Sequence, residues 1–410
     1  MTERLRRRLG LGDAIVLGLG SMLGAGVFVS FAPAARAAGT GLLLGLAIAA
    51  VVAYCNAMSS ARLAAVHPEA GGAYVYGRRQ LGPTWGFLAG WGFVVGKTAS
   101  CAAMALTVGA YAWPEHPRPV AVLAAVALTA VNYLGITKTA GLTRVLVAVT
   151  LLTLAVVVVG CLAGGASDGD RLLPLTGTGP YGILQAGGLL FFAFAGYARI
   201  ATLGEEVRDP ARVIPRAIPA ALGVVIVVYA VVGVSVLLAL GADRLAASAA
   251  PLQDAVRAGS LDELAPLVRI GAVAAAAGVL LSLLAGVGRT TLAMARDREL
   301  PHPLAAIHPR HSVPHRAELA LGALVTLAAA TVDLRNAIGF SSLGVLVYYA
   351  IANASAWTLG ADRRPGSTRP LALLGLLGCL VLAATLPVSS VLAGTAVLAA
   401  GLTLRALARR

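Results

Sequence analysis

Gly18-Leu19-Gly20-Ser21-Met22-Leu23-Gly24-Ala25-Gly26-Val27-Phe28 lies in the first long apolar run of this chain. The run is long enough to span a bilayer, yet Gly18, Gly20, Gly24 and Gly26 interrupt its middle. Glycine weakens a helix interior and lets other atoms approach the backbone closely. Inside a bilayer, unwound backbone survives only where protein or a watery cavity shelters it. The stretch therefore reads in two ways. It is a helix-packing seam of the Gly-x-x-x-Gly kind, or a break that offers N–H and C=O groups to a solute.

A second interrupted run favours the break. Gly187-Gly188 leads into Phe191-Phe192-Ala193-Phe194-Ala195-Gly196-Tyr197. Paired broken segments at corresponding positions point to a transporter's substrate site. The N–H groups at Gly24-Ala25-Gly26 would open a half-helix, where a carboxylate is favoured. The carbonyls of both breaks, from Met22 and Leu23 and from Ala193 and Ala195, suit an ammonium group. An α-amino acid can thus be read by backbone, with no catalytic side chain.

Composition fixes the broad class. Of 410 residues 58% are hydrophobic and 12% charged, with mean hydropathy +0.84. That excludes a soluble globular protein and implies a polytopic all-α membrane protein. Apolar runs fall near 14–36, 41–66, 84–112, 119–135, 144–163, 183–203, 217–241, 267–295, 317–332, 337–359, 371–386 and 391–405. These give about 12 candidate helices, the last two short. Arg4, Arg6, Arg7 and Arg8 precede a full-length span, so the start reads as an uncleaved anchor.

The net charge of +14 does not call for nucleic acid. With both termini inside, cytoplasmic segments carry about three times as many Lys and Arg as external ones, the positive-inside pattern. Cys55, Cys101, Cys161 and Cys379 sit singly in apolar runs and read as small core residues. The six histidines all lie in loops, four of them in one basic segment, and read as scattered surface residues. Nucleophile–base pairs and metal-ligand spacings are missing from the sequence, so no enzyme, metal or cofactor is expected.

The ordered set of motifs resembles the amino acid–polyamine–organocation (APC) superfamily over roughly residues 10 to 360. The first stretch resembles its Gly-x-Gly break. The second resembles its helix-6 break, continued by Ile200-Ala201-Thr202-Leu203-Gly204-Glu205-Glu206-Val207-Arg208-Asp209-Pro210. Pro68-Glu69-Ala70-Gly71-Gly72-Ala73-Tyr74-Val75-Tyr76, Leu81-Gly82-Pro83-Thr84-Trp85-Gly86-Phe87-Leu88-Ala89-Gly90-Trp91 and Leu292-Ala293-Met294-Ala295-Arg296-Asp297 complete the set. The flavour is that of the bacterial cationic-amino-acid-transporter-like branch.

The resemblance implies a permease with the five-plus-five inverted-repeat, leucine-transporter-like fold. Helices 1–5 would cover about 12–163, helices 6–10 about 181–359, and two extra helices about 371–405, all in one transmembrane domain spanning 1–410. It implies that the substrate's α-carboxylate binds at Gly24-Ala25-Gly26, and it places an aromatic gate at Phe192, with Phe194 beside it. The expected partners are an amino acid, the lipid of the cytoplasmic membrane and protons, with no obligate protein partner. Asp209-Pro210 reads as a helix start, cap then proline, of a short surface helix ending about Ile218.

Two departures bear on coupling. Proton-coupled relatives often have a helix-5 lysine, and the matching position here is Thr150. Helix 8 has one hydroxyl, Ser282, between Ile270 and Val287, where a sodium site in this fold uses an adjacent pair. Among cations within spans, Arg62 and Arg289 lie near helix ends and can snorkel. Lys97 lies ~21 Å past Pro83 at ~1.5 Å per residue, near mid-depth, and Arg199 lies just beyond the second break. Each is a structural cation or a coupling one; Lys97 is expected to hold carbonyls of the helix-1 break. Exchange or facilitated flux without protons, a non-transporting sensor and a channel are the competing readings.

Overall fold

The computed structural model describes residues 9–67, 71–135, 140–197, 200, 207–359 and 369–408. Arg199, Glu205, Glu206 and the arginine-rich start lie outside the described residues. Helix 1 runs Leu11–Met22, then Ala25–Val29 and Phe31–Ala38. Helix 2 is Leu42–Val66, helix 3 Pro83–Ala112, helix 4 Pro117–Tyr133 and helix 5 Ala140–Ala163. Helix 6 is Pro180–Phe194, tightening into a 3₁₀ turn at Ala195–Tyr197. Helices 7 to 10 are Pro210–Ala247, Ala265–Arg296, His315–Thr331 and Leu334–Thr358. Helices 11 and 12 are Arg369–Thr385 and Val388–Ala408.

Among the described residues, eight apolar helical stretches are long enough to cross a membrane. Helices 4, 9 and 11 have 17 residues each, at the short end of what spans a bilayer. Proline opens helices 3, 4, 6 and 7, where its missing N–H costs nothing and its fixed φ suits the first turn. Gly82 before helix 3 has φ +105°, a conformation that favours glycine.

Helices 1, 2, 6 and 7 pack on one another, and helices 3, 4, 8, 9 and 10 form a second group; helix 5 touches helices 1, 7 and 8. Missing side chains set the closest seams. A Cβ at Gly45 of helix 2 would lie 2.9 Å from Gly187 N of helix 6. A Cβ at Gly344 of helix 10 would lie 2.6 Å from Gly92 O of helix 3. Helices in lipid have little hydrophobic drive to associate, so close backbone approach supplies dispersion instead.

Helix 7 corrects one expectation. Among the described residues, Asp209 to Ile218 is not a separate surface helix: the chain is helical from Pro210 to Ala247, through Pro215 and Pro219, apart from Gly241 at φ 72°. Asp209 does not cap through its side chain and sits at φ 49°, ψ 63°. Its carbonyl accepts from Arg212 N at 3.0 Å and Val213 N at 3.0 Å, and its carboxylate lies 3.6 Å from Arg212 Nε.

The histidine segment also differs from a scattered surface. The rings of His308 and His311 are 4.6 Å apart, and those of His308 and His315 5.4 Å, around Tyr133. Backbone N–H groups of Arg310 and His311 donate to His308 Nδ1. Desolvation and the neighbouring His311, His315 and Arg310 hold the His308 imidazole below its ordinary pKa.

Helix 12 is fastened by Arg405, whose Nε and Nη2 donate to Glu299 at 2.6 and 3.1 Å. Its guanidinium also lies over Phe87 at 5.0 Å. The paired side chains are 8% and 1% exposed. Breaking a buried pair by removing one partner costs about 3–5 kcal/mol, because the other charge stays buried alone. Arg405→Ala is expected to lower the melting temperature in detergent by several degrees. Arg405→Lys should restore only part of it, since lysine lacks the two-pronged fork. A melting temperature unchanged in Arg405→Ala would remove the pair from the account of this helix.

Candidate functional site

The two breaks meet. Helix 1 stops at Met22, with Leu23 as its C-cap, and Gly24 at φ −83°, ψ −153° starts the next helical piece. Helix 6 stops at Phe194 and tightens into 3₁₀ geometry. A Cβ at Gly26 would lie 2.7 Å from Ala193 Cα, and a Cβ at Gly196 would lie 2.1 Å from Ser21 O. Each broken stretch therefore packs on the other through a glycine. The seam and the break are one feature: the glycines allow close packing, and the helix is interrupted at the same place. Gly24 faces helix 8, where its Cβ would lie 2.2 Å from Val279 Cγ2.

The interrupted backbone is satisfied by side chains from other helices. Tyr229 of helix 7 points its hydroxyl at Met22 O, 2.5 Å away, and at Ala193 O, 3.1 Å away. One phenol thus touches both breaks. Tyr349 of helix 10 donates to Ala195 O at 3.4 Å, and Lys97 of helix 3 donates to the same carbonyl at 3.3 Å. Neither tyrosine is signalled in the sequence: each lies in an apolar run and reads as core.

Beside the breaks lies a cavity of about 470 Å³. Met22, Gly24, Gly26, Phe192, Ala193 and Ala195 are on its wall. Lys97, 6% exposed, and Ser282 line it too. Phe192, the expected gate, is on the wall and 8% exposed. Leu23 and Phe194 are not on the wall: Leu23 is buried in the core, and the Phe194 ring packs on Tyr229 at 5.0 Å. At about 3.6 residues per turn, Phe194 lies roughly 200° around the helix from Phe192, on the side away from the cavity. Ala25 opens the second piece of helix 1. Its backbone N–H is among those a helix start leaves without an intrahelical partner.

One cation expectation changes. Lys97 reaches the second break, not the first, because Ala195 lies across from its place on helix 3. Thr150 does not line the cavity; its hydroxyl donates to Leu146 O of its own helix at 2.8 Å. Arg289 is exposed and among the residues on the cavity wall, and its charge also acts on Glu318 of helix 9. Arg199 lies outside the described residues.

The cavity opens toward the bundle end that holds Gly71, Tyr74, Arg289, Arg296 and Asp297. On that rim Asp297 accepts from Tyr74 at 2.6 Å and from Arg78 at 2.8 Å. Burial, reinforced by Asp297, pushes the Tyr74 phenol well above its ordinary pKa, so it stays a donor. The opposite end is sealed. Tyr111 donates to Phe28 O at 2.8 Å and accepts from Leu252 N at 3.3 Å. Arg36 donates to Ala246 O at 2.8 Å.

Comparison with known proteins agrees with this architecture. Residues 9–402 match the family model described as amino acid permease. An uncharacterized transporter of Mycobacterium tuberculosis is 66% identical over 400 residues, covering 97% of this chain and 90% of the relative. The branched-chain amino acid permease BcaP of Bacillus subtilis is 26% identical, over 87% of this chain and 82% of its own. The human cationic amino acid transporter 4 is 29% identical, over 90% of this chain and 62% of its own. The crystal structure of MhsT in complex with L-phenylalanine superposes with a TM-score of 0.65 at 16% identity, over 94% of this chain and 99% of that one. That likeness shows the fold, the five-plus-five arrangement with broken helices 1 and 6. Because the family model spans nearly the whole chain and the relatives are transporters rather than enzymes or sensors, this chain is a multi-pass membrane protein that belongs to the amino acid permease family and transports amino acids.

Proposed function

We propose that the protein is a permease of the cytoplasmic membrane that carries an α-amino acid by alternating access. The observation that supports this most is the meeting of two helix breaks on one cavity wall. The α-carboxylate takes the N–H groups at Gly24, Ala25 and Gly26, which the helix start leaves free and its dipole makes favourable. The α-ammonium takes carbonyls of the two breaks, and Phe192 closes over the bound molecule. The open mouth faces the cytoplasm, since Arg78, Arg79, Arg296 and Arg298 lie at that end.

The substrate is a neutral or acidic α-amino acid. The cavity wall carries Lys97, Arg289 and Arg296; among the described residues its one acid is Asp297, held by Arg78. Two like charges about 4 Å apart repel by about 4 kcal/mol at an effective dielectric of about 20. This sets the protein apart from relatives named for cationic substrates. Thr150 gives helix 5 no proton carrier, which favours exchange or facilitated flux. Proton symport through Lys97 is the second reading, favoured by its contact with the helix-6 break.

Three outcomes follow. Gly26→Val should insert and fold but lose substrate binding, because even one Cβ there lies 2.7 Å from Ala193 Cα; wild-type affinity in a thermal-shift titration would sink the site. Tyr229→Phe leaves carbonyls of both breaks without their donor, a loss of about 1–3 kcal/mol, so uptake should fall tenfold or more; uptake within twofold of wild type would make the phenol dispensable. In proteoliposomes, alanine, serine and glutamate should outcompete arginine and lysine for uptake, with no requirement for a proton gradient. Arginine winning that competition would overturn the substrate class, and a strict gradient requirement would favour the symport reading.

A further inference from the structure

Lys97 sits at the middle of helix 3 on the same helix face as Phe93, Ser100 and Met104, all on the cavity wall. Its one described hydrogen bond goes to Ala195 O at 3.3 Å, longer than a well-formed N–H···O bond. An ammonium group has three donors and no acceptor. Among the described residues no hydrogen bond joins Lys97 to the neighbouring Ser100, whose Oγ lies 2.6 Å from Ser341 Oγ and 3.4 Å from Gly96 O. Among the described residues no carboxylate pairs with Lys97. Asp297 shares the cavity but is committed at the mouth to Arg78 and Tyr74. A buried cation without a counter-charge is expensive at membrane depth and marks a pathway or ligand site.

Its position relative to the breaks adds a length scale. Lys97 holds the carbonyl of Ala195, and Ala193, two residues earlier, is the residue against which Gly26 packs. Two helical residues separate the places by on the order of 5 Å, about the reach of an acidic amino-acid side chain. The wall adds Arg289 and Arg296 at the mouth, together with Ser282 and Thr290 of the same helix. These side chains can lead an anion inward.

We propose that Lys97 is a specificity-determining residue that binds a second carboxylate, the side chain of an acidic α-amino acid, while the helix breaks hold its α-carboxylate and α-ammonium. This rests on the permease reading above and narrows it. No bond is made or broken. The substrate carboxylate supplies the acceptor that the Lys97 donors lack, and Ala195 keeps the ammonium aimed at the cavity. A neutral amino acid leaves Lys97 unpaired, and a cationic one adds a like charge beside it.

The test is a competition series in proteoliposomes of the full chain with labelled L-glutamate and L-alanine. Unlabelled aspartate, glutamate, glutamine, leucine and arginine serve as competitors. Wild type should prefer glutamate and aspartate over glutamine and leucine by tenfold or more. In Lys97→Met the ratio of glutamate to alanine uptake should fall tenfold or more, and Lys97→Arg should keep most of it. The ratio cancels differences in expression. If Lys97→Met does not fold, wild-type competition alone decides. Glutamine or leucine competing as well as glutamate overturns the proposal, as does a Lys97→Met variant that loses all substrates in equal proportion. Uptake of neutral amino acids alone would overturn this inference and leave the permease reading standing. Failure of every amino acid to enter would overturn both.

Discussion

Two absent Cβ atoms hold the centre of this protein together. Gly26 lets helix 1 sit on the backbone of Ala193, and Gly196 lets helix 6 sit on the carbonyl of Ser21. Helices associating in a bilayer gain little from hydrophobic burial, so contact at this range is the main attraction available. The same glycines make continuous helix less favourable. Packing and interruption are thus a single consequence of one residue choice, and the cavity beside them inherits both. A side chain at Gly26 or Gly196 pushes the two breaks apart locally, beside the cavity.

Interrupted backbone at membrane depth then needs partners, because lipid offers none. The partners come from helices that are not themselves broken. Tyr229 spans Met22 and Ala193, while Tyr349 and Lys97 share Ala195. Helix 7 is thereby tied to both breaks, and helices 3 and 10 to the second. The two groups of helices, 1-2-6-7 and 3-4-8-9-10, communicate at the centre through these hydrogen bonds as well as through helix 5. A substrate that took over one of these carbonyls would compete with a tyrosine or a lysine, which gives binding a direct mechanical effect on packing.

Much of this was legible in the chain. The apolar runs set the order of the twelve helices, and glycines within two of them marked the breaks. Mid-depth Lys97 stood out because a charge there is costly. What could not be read were groups whose role depends on rotation about a helix or on contacts far along the chain. Tyr229 and Tyr349 look like core aromatics until the carbonyls they serve are in place. Phe194 and Leu23 belong to the right stretches but face away from the cavity. Asp209-Pro210 carried a sound local signal, yet the helix continues to Ala247 with Pro215 and Pro219 inside it and Ile214, Ile218 and Leu222 buried. Arg289 lies near a helix end, and only the course of the cavity reveals that it stands on the wall.

The asymmetry of the two ends constrains how the cavity is exchanged between them. At the sealed end the contacts are hydrogen bonds from Tyr111 to Phe28 O and from Leu252 N to Tyr111, with the Phe28 and Tyr111 rings edge to face at 5.9 Å. Opening there must separate helix 3 from the second part of helix 1 and from the segment after helix 7. At the open end, the first part of helix 1 is tied elsewhere: Asp13 pairs with Arg144 of helix 5, and Arg208 N donates to Leu9 O at 2.9 Å. The opposite rim is braced by Arg78 and Asp297, which link helix 3's leading loop to the end of helix 8. Closing the mouth therefore brings helix 1 toward that rim with helix 5 attached. A rigid helix 1 would have to tilt as a whole and would tear the sealed end open at once. The break at Leu23-Gly24 is a joint at which its two parts can pivot separately, so one end can open while the other stays closed.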